Sequence, residues 1–118
     1  MSPVELAVQT YIRAAGERDP AARAALLEAC VAEHARLVTR SSVIHGRAGI
    51  DAMVARFLGD PNMLGFRLTS AVDAAGSTFR YRSAVRRRDG TELEFFDAGE
   101  TDADGQIVTL LVFAGALA

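Results

Sequence analysis

An Asp-Gly dipeptide between two strand-like runs constrains this chain more than any other feature. Asp89 and Gly90 separate the runs, and a tight hairpin turn needs positive φ angles, which Asp tolerates and Gly adopts without steric cost. Residues 77–101 are therefore predicted to form a long antiparallel hairpin. If its loop has two residues, Arg82 lies opposite Asp97, and the two side chains share one face of the sheet.

Neither face of the predicted hairpin is cleanly polar. With a two-residue loop, one face holds Arg80, Arg82, Ala84 and Arg86 together with Leu93, Phe95, Asp97 and Gly99. A mixed face of this kind is typical of a sheet that is covered on both sides. We therefore expect helices on one side of the sheet and a second copy of the chain on the other, which makes a homodimer.

The first half of the chain carries helix signals. Ser2 and Asp19 each precede a proline, an order that is typical of an N-cap followed by the first helical residue. Apolar residues recur at helical spacing after both caps, and again after the segment 45–47. We therefore predict three helices, the second ending near Cys30 and the third ending at the turn residues 59–62.

After residue 64 the chain reads as strands, at 66–73, in the two strands of the hairpin and at 106–114. A short strand is also predicted between the second and third helices, at 35–40, followed by a second short strand or an arm at 41–44. Helices gathered in one half and strands in the other indicate an α+β fold. We predict one domain over residues 1–118, in which a cone-shaped, curved antiparallel sheet wraps on the three helices and encloses a pocket.

Charge and composition exclude several classes of partner. The formal net charge is −2 over 118 residues, whereas phosphate binding needs a basic excess, so nucleic acid is not expected. No apolar run is long enough to span a membrane, and the first residues do not resemble a secretory leader. Cys30 is the single cysteine, and no Cys/His cluster has metal-ligand spacing. A cytoplasmic protein without a metal is expected.

Four short segments, in order, resemble the nuclear-transport-factor-2-like superfamily. They are 7–11, the run 32–38, the His-Gly-Arg-Ala-Gly-Ile segment 45–50, and Phe96-Asp97 followed by 104–108. Within the superfamily, the chain is similar to the SnoaL-like polyketide cyclases and the ketosteroid isomerases. The resemblance implies the cone fold and cofactor-independent proton transfer next to a carbonyl, as in isomerisation or aldol cyclisation.

The resemblance also implies which residues act. Tyr11 and Asp97 fall where ketosteroid isomerases keep their two oxyanion donors, so both are predicted to be catalytic. The aspartate base of those isomerases falls at Thr39, and residues 34–50 contain no Asp or Glu. Asp97 also lies near the position of the acid/base aspartate of SnoaL-like cyclases, which suits a mechanism with a single carboxylate.

A small apolar, carbonyl-bearing molecule is the expected ligand. The side chains predicted to contact it are Thr39, Phe57, Arg82, Phe95 and Val112. His34 is an alternative base, and Arg36, Arg40 and Arg67 are alternative clamps for an acidic ligand.

Four other interpretations stay open at this point. Asp97 forms an ion pair with Arg82, which either replaces a catalytic role or positions a carboxylate that also acts. Tyr11 is only a core aromatic. The chain as a whole is a non-catalytic ligand-binding or dimerisation module, which the missing base near Thr39 favours. An epoxide-hydrolase variant of the fold needs a strand-borne Asp-Arg-Asp set, of which only the Arg82–Asp97 part is visible.

Overall fold

A computed structural model describes residues 1–115 and confirms the predicted α+β class. The helices are α1 (Pro3–Ala15), α2 (Pro20–Cys30) and α3 (Arg47–Leu58). The strands are β1 (Val31–Val38), β2 (Val43–His45), β3 (Met63–Leu68), β4 (Asp73–Ala75), β5 (Thr78–Arg87), β6 (Glu92–Thr101) and β7 (Ile107–Ala114). Within this described region, no helix is long and apolar enough to cross a membrane.

The first two helices begin where their capping residues predict. The Glu5 N–H donates to the Ser2 hydroxyl at 3.1 Å, and the Ala22 N–H donates to the Asp19 carboxylate at 2.9 Å. A proline follows each cap and supplies a backbone φ that is already helical. Each cap satisfies an N–H group that the helix itself leaves without a partner.

The strands form one curved sheet in the order β2-β1-β7-β6-β5-β3, and β4 also pairs with β5. Neighbouring strands are antiparallel except β1 and β7, which are parallel. The helices cover the concave face, and the core between them contains Val8, Leu27, Leu37, Tyr81 and Leu110. The predicted cone is therefore confirmed, with one parallel pair that the sequence did not indicate.

Gly99 allows β6 to approach its neighbours closely. A Cβ atom at this position would lie 2.3 Å from the Thr109 carbonyl oxygen and 2.6 Å from Cζ of Phe79. The register between β6 and β7 also shifts just after Gly99, between Glu100 and Thr101. A glycine and a register shift at one place are typical of a bend in a sheet, and this bend helps to curve the sheet over the helices.

The hairpin loop has three residues rather than two, which changes the pairing of its strands. The Arg87 N–H donates to the Thr91 carbonyl at 2.8 Å, the Gly90 N–H donates to the Arg87 carbonyl at 3.0 Å, and Gly90 has a φ of 89°. A loop of this kind, with Gly in the left-handed region at its third position, is the next most common after the two-residue hairpin. The extra residue shifts β5 by one position against β6.

The predicted pairing of Arg82 with Asp97 is therefore wrong. Tyr81 pairs with Asp97, and Arg82 pairs with Phe96. Because side chains alternate along a strand, this shift moves Arg82 to the convex face while Asp97 stays on the concave face.

Two strand boundaries also differ from the prediction. β1 begins at Val31, directly after α2, whereas we expected a strand from residue 35. The predicted strand 66–73 is divided into β3 and β4, both of which pair with β5. The predicted ends of the helices and of β7 agree with the structure within about one residue.

Candidate active site

The helices and the concave face of the sheet enclose a cavity of about 210 Å³ that opens to solvent. Its lining is almost entirely apolar. The residues that line it are Tyr11, Ala15, Thr39, Met53, Val54, Phe57, Phe66, Val85, Phe95, Asp97 and Val112. They come from α1, α3, the four strands β3, β5, β6 and β7, and the turn after β1, so distant parts of the fold meet at the site.

Asp97 lies on β6 in the wall of this cavity. It pairs with Tyr81 of β5 on one side and with Val112 of β7 on the other. Only 5% of the residue is exposed, and its Oδ1 atom has no hydrogen-bond partner among residues 1–115. Burial raises the pKa of the carboxyl to about 6, while the neighbouring Tyr81 hydroxyl acts in the opposite direction.

Tyr11 brings a hydroxyl from α1 to the same cavity. The residue is buried, and burial raises the pKa of its phenol well above the ordinary value, with the Asp97 charge adding to the effect. The phenol therefore keeps its proton across the physiological range. A protonated phenol in an apolar cavity is a hydrogen-bond donor suited to an oxygen that gains negative charge.

Tyr81 is a third polar group next to the site, and the sequence prediction missed it. Its ring stacks on Phe79 with the centroids 6.2 Å apart, and its hydroxyl is buried without a hydrogen-bond partner in the described part of the chain. Burial, followed by the charge of Asp97, raises the pKa of the phenol. The sequence signal that could have found Tyr81 is the Asp89-Gly90 turn. Read as a three-residue loop instead of a two-residue loop, it predicts that Tyr81 pairs with Asp97.

The other predicted ligand contacts divide into two groups. Thr39, Phe57, Phe95 and Val112 line the cavity as expected, whereas Arg82 does not. Arg82 is exposed on the convex face because of the register shift described above. The ion-pair interpretation of Asp97 and the Asp-Arg-Asp set of an epoxide hydrolase both depended on Arg82 facing Asp97, so both lose their basis.

Thr39 occupies the place where the resemblance requires a base, and its hydroxyl already has partners. Its Oγ1 atom lies 3.0 Å from the Ser42 Oγ and accepts from the Ser42 N–H at 3.1 Å. These bonds close the turn between β1 and β2. Asp97 is the sole carboxylate among the described residues that line the cavity.

The remaining polar candidates lie outside the cavity. His34, Arg36, Arg40 and Arg67 are exposed, and Arg67 donates to Glu92 at 2.9 Å. None of them is among the residues of 1–115 that line the cavity.

Neither a metal site nor a reactive thiol is apparent in the region described. No group of three or more His, Cys, Asp or Glu residues within 1–115 could hold a metal ion. Cys30 is buried, and burial raises the pKa of its thiol to about 12. A thiol of this kind behaves as a small core residue.

Comparison with solved structures places the fold. A candidate isomerase of the SnoaL-like family from Agrobacterium tumefaciens superposes with a TM-score of 0.84 at 26% identity, over 98% of this chain and 100% of that protein. An NTF2-like protein of unknown function from Burkholderia xenovorans gives a TM-score of 0.76 at 15% identity, over 98% and 85% of the two chains. A de novo designed protein with a curved β-sheet gives 0.79 at 14% identity, over 98% and 88%. At 15% and 14% identity, the likenesses to the Burkholderia protein and to the designed protein are evidence for the fold only.

Sequence comparisons are less informative than the structural ones. No protein-family model matches the chain, and no curated protein matches it by sequence. The curved sheet over three helices, with a cavity between them, defines an NTF2-like α+β protein. The fold is NTF2-like, and the chain resembles the SnoaL-like protein over nearly its whole length.

Proposed function

We propose that this protein is a cofactor-independent enzyme that moves a proton next to the carbonyl of a small apolar molecule. Asp97 is the acid/base, and Tyr11 donates a hydrogen bond to the carbonyl oxygen. The observation that supports this proposal is that both side chains line one apolar cavity, where the pKa of Asp97 is raised to about 6. A carboxyl with a pKa near the working pH is suited to both accepting and returning a proton.

The reaction needs a single carboxylate. Ionised Asp97 takes a proton from the carbon beside the carbonyl, and the electron pair of the C–H bond moves toward the carbonyl oxygen. The Tyr11 phenol stabilises the resulting enolate by a hydrogen bond. When the substrate has a C=C bond next to the carbon that loses the proton, the enolate is a conjugated dienolate, and Asp97 returns the proton to its far carbon. The C=C bond then lies beside the carbonyl, and the product is an isomer with no net change in protons or electrons.

Tyr81 supports this mechanism as a positioning residue. It pairs directly with Asp97 across the strands, and its hydroxyl lowers the pKa that burial has raised. Without that effect, the carboxyl would hold its proton more tightly and would be a base over a narrower pH range.

Deuterium exchange from D₂O into cyclic ketones tests the proposal. We expect wild type to catalyse exchange at the carbon beside the carbonyl, and Asp97→Asn to lose about 10² or more of that rate. Glu94→Gln is the matched control, because Glu94 is an exposed carboxylate on the same strand. Equal rates in wild type and Asp97→Asn would refute the catalytic role of Asp97.

A second candidate is a non-catalytic ligand-binding module on the same fold. Two observations favour it: the cavity lacks a second carboxylate within the described residues, and the Thr39 hydroxyl is engaged in a turn. This module would bind cyclic ketones without any catalysed exchange, so binding and exchange measurements on the same ligands separate the two functions.

We also propose that the convex face of the sheet pairs with a second copy of the chain, as the sequence predicted. Phe96, Ala98, Leu111 and Phe113 form an apolar stripe on this face, and 44% of Phe113 is exposed. The stripe is flanked by basic residues on β5 and acidic residues on β6, namely Arg80, Arg82, Arg86, Glu92, Glu94 and Glu100. In a two-fold dimer the same patch faces itself, so basic and acidic rows can meet across the axis.

We also propose that this is a cytoplasmic bacterial protein, from its composition and from the burial of Cys30. Composition favours a bacterial protein, and the single buried cysteine suits the reducing cytoplasm.

A further inference from the structure

The volume of the candidate active site limits the size of its ligand. The cavity measures about 210 Å³. An engineered apolar cavity of about 150 Å³ holds one benzene molecule, whereas drug-sized ligands occupy pockets of about 300–1,000 Å³. The cavity is therefore large enough to bury one substituted ring, whereas a molecule of three or four fused rings would leave most of its apolar surface outside, in contact with solvent.

The polar groups of the site limit how many polar groups the ligand can carry. Of the three polar side chains in the lining, Thr39 already has partners for its hydroxyl, so Tyr11 and Asp97 remain. A ligand oxygen placed elsewhere in the cavity would meet only apolar side chains such as Met53, Phe57 and Val112. An oxygen buried there without a hydrogen bond costs free energy, so a ligand with a single carbonyl fits best.

The charge of the lining limits the charge of the ligand. None of the described residues that line the cavity is basic, because Arg82 points to the other face of the sheet. A ligand carboxylate or phosphate would enter an apolar cavity beside Asp97 with no cation to pair with. The ligand is therefore not an anion, and a cation would pair with Asp97 and engage the proposed acid/base, so a neutral ligand suits the proposed reaction best.

We infer that the site takes a neutral, single-ring ketone or enone that carries no second polar group. This inference rests on the proposed function of the same cavity and adds the substrate class. It also selects between the two reactions that the resemblance implies. An internal aldol cyclisation needs two carbonyl groups in one molecule, so a one-carbonyl ligand leaves isomerisation as the reaction.

Calorimetric titration with a graded set of neutral ketones of one, two, three and four rings tests the inference. We expect wild type to bind the single-ring ketone and to bind the three- and four-ring ketones roughly tenfold more weakly or worse. We expect the single-ring carboxylate of matched size to bind at least about tenfold more weakly than the ketone at pH 8.

A pair of variants shows that the cavity sets this preference. Phe57→Ala enlarges the cavity and is expected to move the preference toward two rings. Leu6→Ala removes an exposed apolar side chain outside the cavity and should leave the preference unchanged. Circular dichroism of both variants checks that they are folded.

The outcomes separate this inference from the proposed function. Binding of a four-ring ketone by wild type as tight as that of the single-ring ketone would overturn the ligand class. If the four-ring ketone also exchanges deuterium, the proposed function stands while the ligand class falls. Selective binding of the single-ring ketone without catalysed exchange supports the ligand class and refutes the enzyme.

Discussion

Tyr81 and Asp97 are direct cross-strand partners, and the Tyr81 hydroxyl and the Asp97 Oδ1 atom are both buried. Burial raises the pKa of the Asp97 carboxyl, and the interaction with the Tyr81 hydroxyl lowers it by a smaller amount. An ionised Asp97 is therefore only partly compensated for its loss of hydration, and this cost falls on the stability of the folded protein.

The contribution of Asp97 to stability should therefore fall as the pH rises toward the pKa of its folded state. Burial raises this pKa from 3.8 to about 6, so the folded state holds the proton more tightly than the unfolded state. The contribution of Asp97 is greatest below about pH 4, falls between about pH 4 and pH 6, and is level above that range. The total loss is on the order of 3 kcal/mol.

Asp97→Asn should remove this pH dependence and raise the free energy of unfolding above pH 6 by up to about 3 kcal/mol. Urea titrations at pH 4, 5, 6 and 8 measure the effect, with Glu94→Gln as the control. An Asp97→Asn variant that is less stable than wild type at pH 8 would contradict the raised pKa.

Two tyrosine variants should change the exchange kinetics in different ways. Tyr11→Phe removes the proposed donor, so the rate plateau at high pH should fall by roughly 10²-fold, while the midpoint of the pH–rate profile stays in place.

Tyr81→Phe removes the hydroxyl that lowers the pKa of Asp97, so the midpoint of the pH–rate profile of this variant should move above that of wild type. A Tyr81→Phe profile with an unmoved midpoint would show that the hydroxyl does not act on the carboxyl.

Gly99→Ala should destabilise the fold by about 3 kcal/mol or more, since overpacking against backbone leaves no room to adjust. The new Cβ would lie 2.3 Å from the Thr109 carbonyl oxygen. Gly65→Ala is the matched control within a strand, because a Cβ there meets nothing within 4 Å. Thermal unfolding measures both, and equal melting temperatures would contradict the close approach at Gly99.

The convex face should hold a dimer together through its apolar stripe. We expect wild type to elute as a dimer in size-exclusion chromatography with light scattering, and Phe113→Glu to elute as a monomer. Leu6→Glu adds the same charge at an exposed apolar position on α1 and should remain dimeric. Elution of wild type as a monomer at high concentration would refute the proposed interface.

The sequence predicted those parts of the fold that depend on interactions between residues close together in the chain. The Ser2 and Asp19 caps act within one turn of their helices, and they predicted both helix starts correctly. The start of β1 was missed because Val31 directly follows Cys30 at the end of α2 and continues the helical spacing of apolar residues. Nothing in the local sequence shows that this strand pairs with β7, more than seventy positions along the chain.

The candidate site was predicted less well, because one residue in a turn decides which side chains meet. Asp89-Gly90 is compatible with a loop of two or three residues, and the two loops place different residues opposite Asp97. The resemblance to the superfamily predicted Tyr11 and Asp97 without reference to this register, and the structure brings both to one cavity. The predictions for Arg82 and Tyr81 depended on the strand register. Arg82 was therefore wrongly included in the site, and Tyr81 was missed.

The parallel pairing of β1 with β7 also has a consequence for biosynthesis. β1 precedes α3 and most of the sheet, while its partner β7, which carries Val112 of the cavity wall, is made after the other described elements. Contacts between such distant segments form slowly because a long loop must close first. On the ribosome, β1 therefore has one unpaired strand edge until β7 emerges, and during that interval the edge is exposed to pairing with other chains.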